Sequence, residues 1–200
     1  MLISVIKPGV DRGQAALRLK GRLKQIRTGR LVSVIDFYVP FRIYAVEMTN
    51  AGRVARGLFG IDAATGELDL FCFDTLPGED EKHPLETTRF APVSIEEARA
   101  ERLLEQRLRR EVYLKGFFKI SGLKIEPRLV EILFVPYWVG LYERAGRFRI
   151  DAVNGLNGSL EGGKLRHLIT GWFQSPPLSK SLQGHKDHKA AESGEKPMPQ

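Results

Sequence analysis

Cysteine occurs once in this 200-residue chain, as Cys72, so no intramolecular disulfide can form. It stands in the strand-like run Leu68-Asp69-Leu70-Phe71-Cys72-Phe73, where a free thiol reads as a small core hydrophobe. Histidine is nearly as scarce, with His83, His167, His185 and His188. His185 and His188 have the spacing of a metal-binding pair but no third ligand near them, and no metal or other cofactor is expected. The glycine-rich run from Gly155 to Lys164 lacks the spacing of a phosphate-binding loop. No apolar run approaches the roughly 20 residues that cross a bilayer. The longest, Ile132 to Tyr142, is strand-sized. Met1 to Pro8 is too short and wrongly flanked for a signal peptide, so a cytoplasmic protein without a membrane span is the expectation.

What is present is enough apolar material for a core and an uneven charge. Hydrophobic residues make up 42% of the chain, and its net charge is +7. Within residues 1–30, eight basic residues face one carboxylate, Asp11, a surplus equal to the net charge of the whole chain. Residues 31–200 therefore balance. A concentrated basic segment permits a nucleic-acid or other anionic partner.

The chain also resembles itself. Phe37-Tyr38-Val39-Pro40-Phe41 matches Phe134-Val135-Pro136-Tyr137 and its flanks, with both prolines between aromatics. Asn50-Ala51-Gly52-Arg53 matches Arg144-Ala145-Gly146-Arg147. Ile61-Asp62-Ala63-Ala64-Thr65-Gly66 matches Ile150-Asp151-Ala152-Val153-Asn154-Gly155, which makes Asp62 and Asp151 equivalent. Three blocks in one order point to two diverged copies of a helix followed by an antiparallel hairpin.

The first helix is read from Ala16, Leu19, Leu23 and Ile26. The second has Ala100, Leu103, Leu104 and Leu108, preceded by a capping box in Ser94-Ile95-Glu96-Glu97 and ended by Lys115-Gly116. Strands are expected over Val32 to Met48, Arg53 to Ile61, Glu67 to Phe73 and Arg147 to Val153, and a short helix over Leu160 to Phe173. Pro40 and Pro136 read as marks of a sheet edge or a bulge, because proline cannot donate to a ladder. Asp62 reads as a turn cap and Gly66 as its left-handed residue. The fold class is α+β. Its divisions are a first repeat at 1–73, an acidic, proline-broken linker at 74–92, a second repeat with the C-terminal helix at 93–173, and a disordered tail at 174–200. Each helix is expected to lie on its own pair of strands, both on one face of the sheet.

Ile43-Tyr44-Ala45-Val46-Glu47, Ala51-Gly52 and Ile61-Asp62-Ala63-Ala64-Thr65-Gly66-Glu67-Leu68, with Ile150-Asp151-Ala152 and Gly155 in the second copy, give the two core units a resemblance to PepSY-like domains. The second copy departs from the pattern at Asn154, where threonine would stand. The resemblance implies an extracytoplasmic binding or inhibitory module without a catalytic site, and the missing signal peptide departs from that.

Three functional readings follow. The preferred one is a non-enzymatic module that binds a protein partner or a ligand through an aromatic edge formed by Tyr38, Phe41, Tyr137 and Trp138. The second is nucleic-acid binding through Arg18, Arg22, Lys24 and Arg27. The third is an enzyme with a site between the repeats, near Asp62, Asp151 or His167. No catalytic residue is assigned.

Overall fold

The computed structural model describes residues 1–21, 29–50, 52–114 and 122–174. Arg22, Leu23, Lys24, Ile26 and Arg27, Lys115-Gly116, the pair His185 and His188, and residues 175–200 of the expected tail lie outside the described residues.

The fold is α+β. Its elements in chain order are β1 (Leu2–Ile6), α1 (Arg12–Leu19), β2 (Arg30–Asn50), β3 (Arg53–Asp62), β4 (Phe71–Phe73), a 3₁₀ turn (Glu79–Glu81), β5 (Lys82–Glu86), α2 (Glu97–Leu114), β6 (Lys124–Arg144), β7 (Arg147–Asn154) and α3 (Gly163–Gln174). All seven strands belong to one sheet, ordered β4-β3-β2-β6-β1-β5, with β7 on the remaining length of β6. Every pairing is antiparallel except β1 with β6. The units expected at 1–73 and 93–173 therefore share a continuous sheet.

The spine is the pair of 21-residue strands β2 and β6. They run antiparallel along nearly their whole length, with Val39 opposite Val135 at the middle. Pro40 and Pro136 sit one residue past that central pair, inside the sheet and not at its edge. The reason is a change of neighbour. Tyr38 exchanges hydrogen bonds with Arg89 and Ala91 on the outer side of β2, and two residues later the carbonyl of Pro40 accepts from Ala63 at 2.8 Å. Pro40 thus stands where one neighbour ends and β3 begins, and no donor is needed there. On β6 the outer partner changes from β1, at Phe134 opposite Val5, to β7, and the carbonyl of Pro136 accepts from Gly155 at 2.8 Å. Each long strand also carries one bulge before the central pair, at Val32 and at Val130, where the register shifts by one.

Alternation along β2 sends Phe37, Val39, Phe41 and Ile43 to one face. They form the largest core cluster with Val135, Tyr137 and Val139, and α3 covers it with Leu165 and Ile169. Trp172 of α3 meets Phe37 edge-on at 5.1 Å. On the other face, Ala100, Leu104 and Leu108 of α2 pack on Tyr44, Val46 and Ile61 of the first hairpin. Ala15 and Leu19 of α1 pack on Val34, Tyr142 and Val153, the last two from the second hairpin. Between them lies a small cluster of Ile3, Val5, Tyr38 and Phe134.

The helices therefore share a face, but each reaches across to the opposite hairpin. Tyr142 fixes this for α1: its buried hydroxyl donates to the carbonyl of Leu19 at 2.8 Å. The leading strands cross as well, since β1 pairs with β6 and Phe90 bridges Tyr38 of β2.

Residues 74–92 hold more structure than an irregular linker. β5 pairs with β1 along its length, and Pro84 is tolerated because β5 is an edge strand. Helix α2 begins at Glu97 without the expected Ser94 cap. The amides of Ser94 and Ile95 both donate to Ala63, which draws these residues onto the hairpin, and the first helical bond runs from Ala100 to Glu96. A complete capping box forms instead on α1, between Asp11 and Gln14.

Candidate ligand cleft between the two turns

The first hairpin ends in a turn organised by Asp62, which is fully buried. Its carboxylate accepts from the amides of Ala64 at 3.0 Å, Thr65 at 2.7 Å and Leu68 at 2.9 Å, and from the Thr65 hydroxyl. Gly66 takes the left-handed conformation with φ +72°. Because the turn captures the Leu68 amide, the following strand starts only at Phe71, not at Glu67.

The counterpart in the second hairpin is Asn154, not Asp151. Phe41, one residue after Pro40, pairs with Asp62, and Tyr137, one residue after Pro136, pairs with Asn154. Asn154 Oδ1 accepts from Leu156 at 2.9 Å, and Gly158 has φ +74°. Asp151 pairs with Gly140 further back, and its carboxylate meets Arg166 at 3.3 Å. The aligned turns are thus Asp62-Ala63-Ala64-Thr65-Gly66-Glu67-Leu68-Asp69 and Asn154-Gly155-Leu156-Asn157-Gly158-Ser159-Leu160-Glu161.

Each turn is clamped by an arginine of the helix that reaches over to it. Arg107 of α2 donates to the carbonyls of Gly66 and Leu68. Arg18 of α1 donates to those of Gly158 and Asn157. A second pair of contacts ties down the start of each helix. The Trp138 indole N–H donates to Val10 at 2.7 Å, and the Arg42 guanidinium donates to Ile95 at 3.1 Å. Trp138 and Arg42 occupy the same place, two residues after each proline.

Between the turns, on the face that α3 covers, lies a cleft of about 430 Å³. Phe41 and Tyr137 line it from the two long strands, Leu68 and Asp69 from one turn, and Leu160 and Glu161 from the other. Phe71 adds a ring, 6.1 Å from that of Phe41. Asn154, almost wholly buried, donates its amide to Glu161 at 3.2 Å. Burial pushes the half-buried Glu161 carboxyl above its ordinary range, and the charge of Asp69 adds to this against the bonds from Asn154 and Ser159. At the rim Asp69 pairs with Lys164 at 2.7 Å. Tyr137 is only 3% exposed, and its hydroxyl has no hydrogen-bond partner among the described residues. Burial, together with the charges of Glu161 and Asp62, drives its pKa far above the usual phenol value.

The residues singled out in the sequence fall differently. Tyr38 and Phe41 are buried, as is Tyr137, and Trp138 is half-buried, so the four do not make an exposed edge. Phe41 and Tyr137 instead line the cleft. The Tyr38 hydroxyl donates to Asp36 at 3.0 Å, and Arg89 meets the same carboxylate at 2.5 Å. Burial alone would raise the Asp36 pKa, but these bonds outweigh it and hold it below the usual range. Arg18 is a turn clamp, whereas Arg22, Lys24 and Arg27 lie outside the described residues. Asp62 is spent on its turn, His167 is exposed on α3, and neither these nor Asp151 line the cleft. Cys72 is exposed, contrary to the core reading, because β4 is an edge strand and Cys72 alternates with Phe71 and Phe73, which pack on the core. Among the described residues no group of three or more acidic, histidine or cysteine side chains is placed to hold a metal, and no helix is long and apolar enough to cross a membrane.

Sequence reading missed Asn154, Asp69 and Glu161. The signal was there: Gly66-Glu67-Leu68-Asp69 and Gly158-Ser159-Leu160-Glu161 share glycine, leucine and an acid at one spacing. Comparison of the chain with protein-family models, with curated proteins and with solved structures finds no match to any of them.

Proposed function

We propose that this chain is a non-enzymatic binding module, made of two diverged copies of a strand–helix–strand–strand unit, that holds a small ligand between the turns of the two copies. The observation that carries this is the cleft itself, walled by Phe41, Phe71 and Tyr137, with the Tyr137 hydroxyl making no hydrogen bond among the described residues. A ligand atom within the cleft would bond to that hydroxyl. The volume falls in the range of small-molecule sites. Support for the two copies comes from matched contacts: Arg107 and Arg18 on the turns, Arg42 and Trp138 on the helix starts, Pro40 and Pro136 at the change of strand partner. The binding role implied by the PepSY-like resemblance agrees with this reading.

The test is a fragment screen by two-dimensional NMR on the full chain. The expected result is that hits shift the amides of Leu68 to Cys72 and of Asn154 to Gly162 together. Hits that all map elsewhere would contradict the cleft, and a turnover activity abolished by Glu161→Gln alone would contradict the non-enzymatic role.

A second reading, nucleic-acid binding, is favoured by the tip of the β6–β7 hairpin. There Arg144, Arg147 and Arg149 are exposed beside Arg30, and Phe148 between them is 72% exposed. Arg30 lies opposite Glu143, and three more cations, Arg22, Lys24 and Arg27, precede it in sequence. This reading expects an affinity for single-stranded DNA or RNA that falls steeply with salt. An Arg30→Ala/Arg147→Ala variant that binds as tightly as the parent would rule it out.

A further inference from the structure

The cleft is acidic in a basic chain, and this specifies the chemistry of its occupant. Of its lining residues, Asp69 and Glu161 carry charge, both negative, and no lysine, arginine or histidine is among them. We propose that the cleft binds a small organic ammonium ion, its N–H groups donating to Glu161 and to the Tyr137 oxygen and its carbon framework lying against Phe41 and Phe71. The inference rests on the binding-module reading above and names its ligand class.

Three observations converge. Tyr137 is 3% exposed and its hydroxyl makes no hydrogen bond among the described residues, so it has lone pairs to offer a donor. Glu161 is half-buried and receives bonds from the neutral donors Asn154 and Ser159, and among the described residues it has no ion pair. Asp69, by contrast, is already answered by Lys164 at 2.7 Å, which leaves Glu161 as the anchor. The third observation is the rings. Phe41, Phe71 and Tyr137 give the cleft aromatic walls, and the face of an aromatic ring attracts a cation. An anion would meet the Glu161 carboxylate, and a neutral alcohol would leave Glu161 without a counterion. The chain's positive surplus opposes an ammonium ion only at long range, where salt screens it beyond about 8 Å.

The experiment uses three probes of one shape and different charge, benzylammonium, benzyl alcohol and benzoate, titrated into the labelled full chain at pH 7. Benzylammonium is expected to shift the Asn154 side-chain amide and the backbone amides of Leu68 to Cys72 and of Glu161, at least tenfold more tightly than benzyl alcohol, with benzoate silent. Glu161→Gln should weaken benzylammonium about tenfold or more, Tyr137→Phe several-fold, and Asp69→Asn least. The comparison of probes on the parent stands even if a variant fails to fold. Benzyl alcohol or benzoate binding in the cleft as tightly as benzylammonium would overturn the ammonium assignment while leaving the cleft as a site. No shift at the cleft from any of the three would overturn it too, and if the broader fragment screen is also silent there, the binding-module reading falls with it.

Discussion

The two turns solve one geometric problem with different chemistry. Each must reverse the chain after its hairpin and place a glycine at φ near +73°. The first does so around a fully buried carboxylate that satisfies three backbone amides and a hydroxyl. The second uses a neutral amide with one backbone bond and spends its other end on Glu161. A charged acceptor is stronger but cannot share its oxygens with a second acid. Replacing it with asparagine loosens the turn and frees a donor that points toward the cleft. The less tightly held turn is the one that places Asn154 and Glu161 at the cleft.

That contrast can be broken in order of expected effect. Asp62→Ala strands several buried amides and should cost on the order of 3 kcal/mol or more, against about 1–2 for Asn154→Ala, in urea denaturation. Equal losses would mean that the turns are equally anchored. Gly66→Ala and Gly158→Ala each force a left-handed alanine, at about 1–2 kcal/mol. Gly66 should be the worse, since its new methyl would meet Leu103 and Ile95 in the packed interface of α2, whereas that of Gly158 meets the end of the Arg18 side chain. Among the clamps, Arg107→Ala should cost about 1.5–3 kcal/mol and the more exposed Arg18→Ala under about 1. Calorimetric scans of the two variants in parallel would show whether the clamps differ.

The smallest effect is a pH dependence. Glu161 has a raised pKa in the folded chain, so the native state favours its neutral form. Its contribution to stability is complete below the ordinary carboxyl value of 4.5 and is lost as the pH rises through the folded value. Glu161→Gln should therefore melt slightly higher than the parent at pH 7, with the gain vanishing near pH 4. A variant that melts lower at both pH values would show that the carboxylate is satisfied by groups within the protein.

Much of this architecture was legible in the sequence and some of it was misread for definite reasons. The strand around Val39, its alternation and the Asp62 turn follow from residue pattern and turn chemistry. Pro40 and Pro136 instead read as an edge or bulge and lie inside the sheet, because a change of outer neighbour leaves each without need of a donor. Asp151 was matched to Asp62 because identical side chains outweighed spacing. The second hairpin is two cross-strand pairs shorter, with eight where the first has ten, and a shorter hairpin moves the equivalent position to Asn154. Ser94 looked like a helix cap because local pattern does not reveal that Ala63 already claims its amide. The aromatics were read as an edge because burial on both faces of a central strand leaves the same composition as exposure. The crossing of the helices left no local mark at all, since Leu19 reaching Tyr142 is a contact across 123 residues.

That crossing, laid over the central β2–β6 pairing that sets the two turns side by side, is the central claim: neither unit is complete without the other. Splitting the chain between Leu76 and Pro77 tests it directly: residues 1–76 and 77–200 would be prepared separately and then mixed. Neither fragment should give a dispersed NMR spectrum as a monomer, and the equimolar mixture should recover the spectrum and the single unfolding transition of the intact protein. A folded, monomeric fragment with its own cooperative transition would contradict the account.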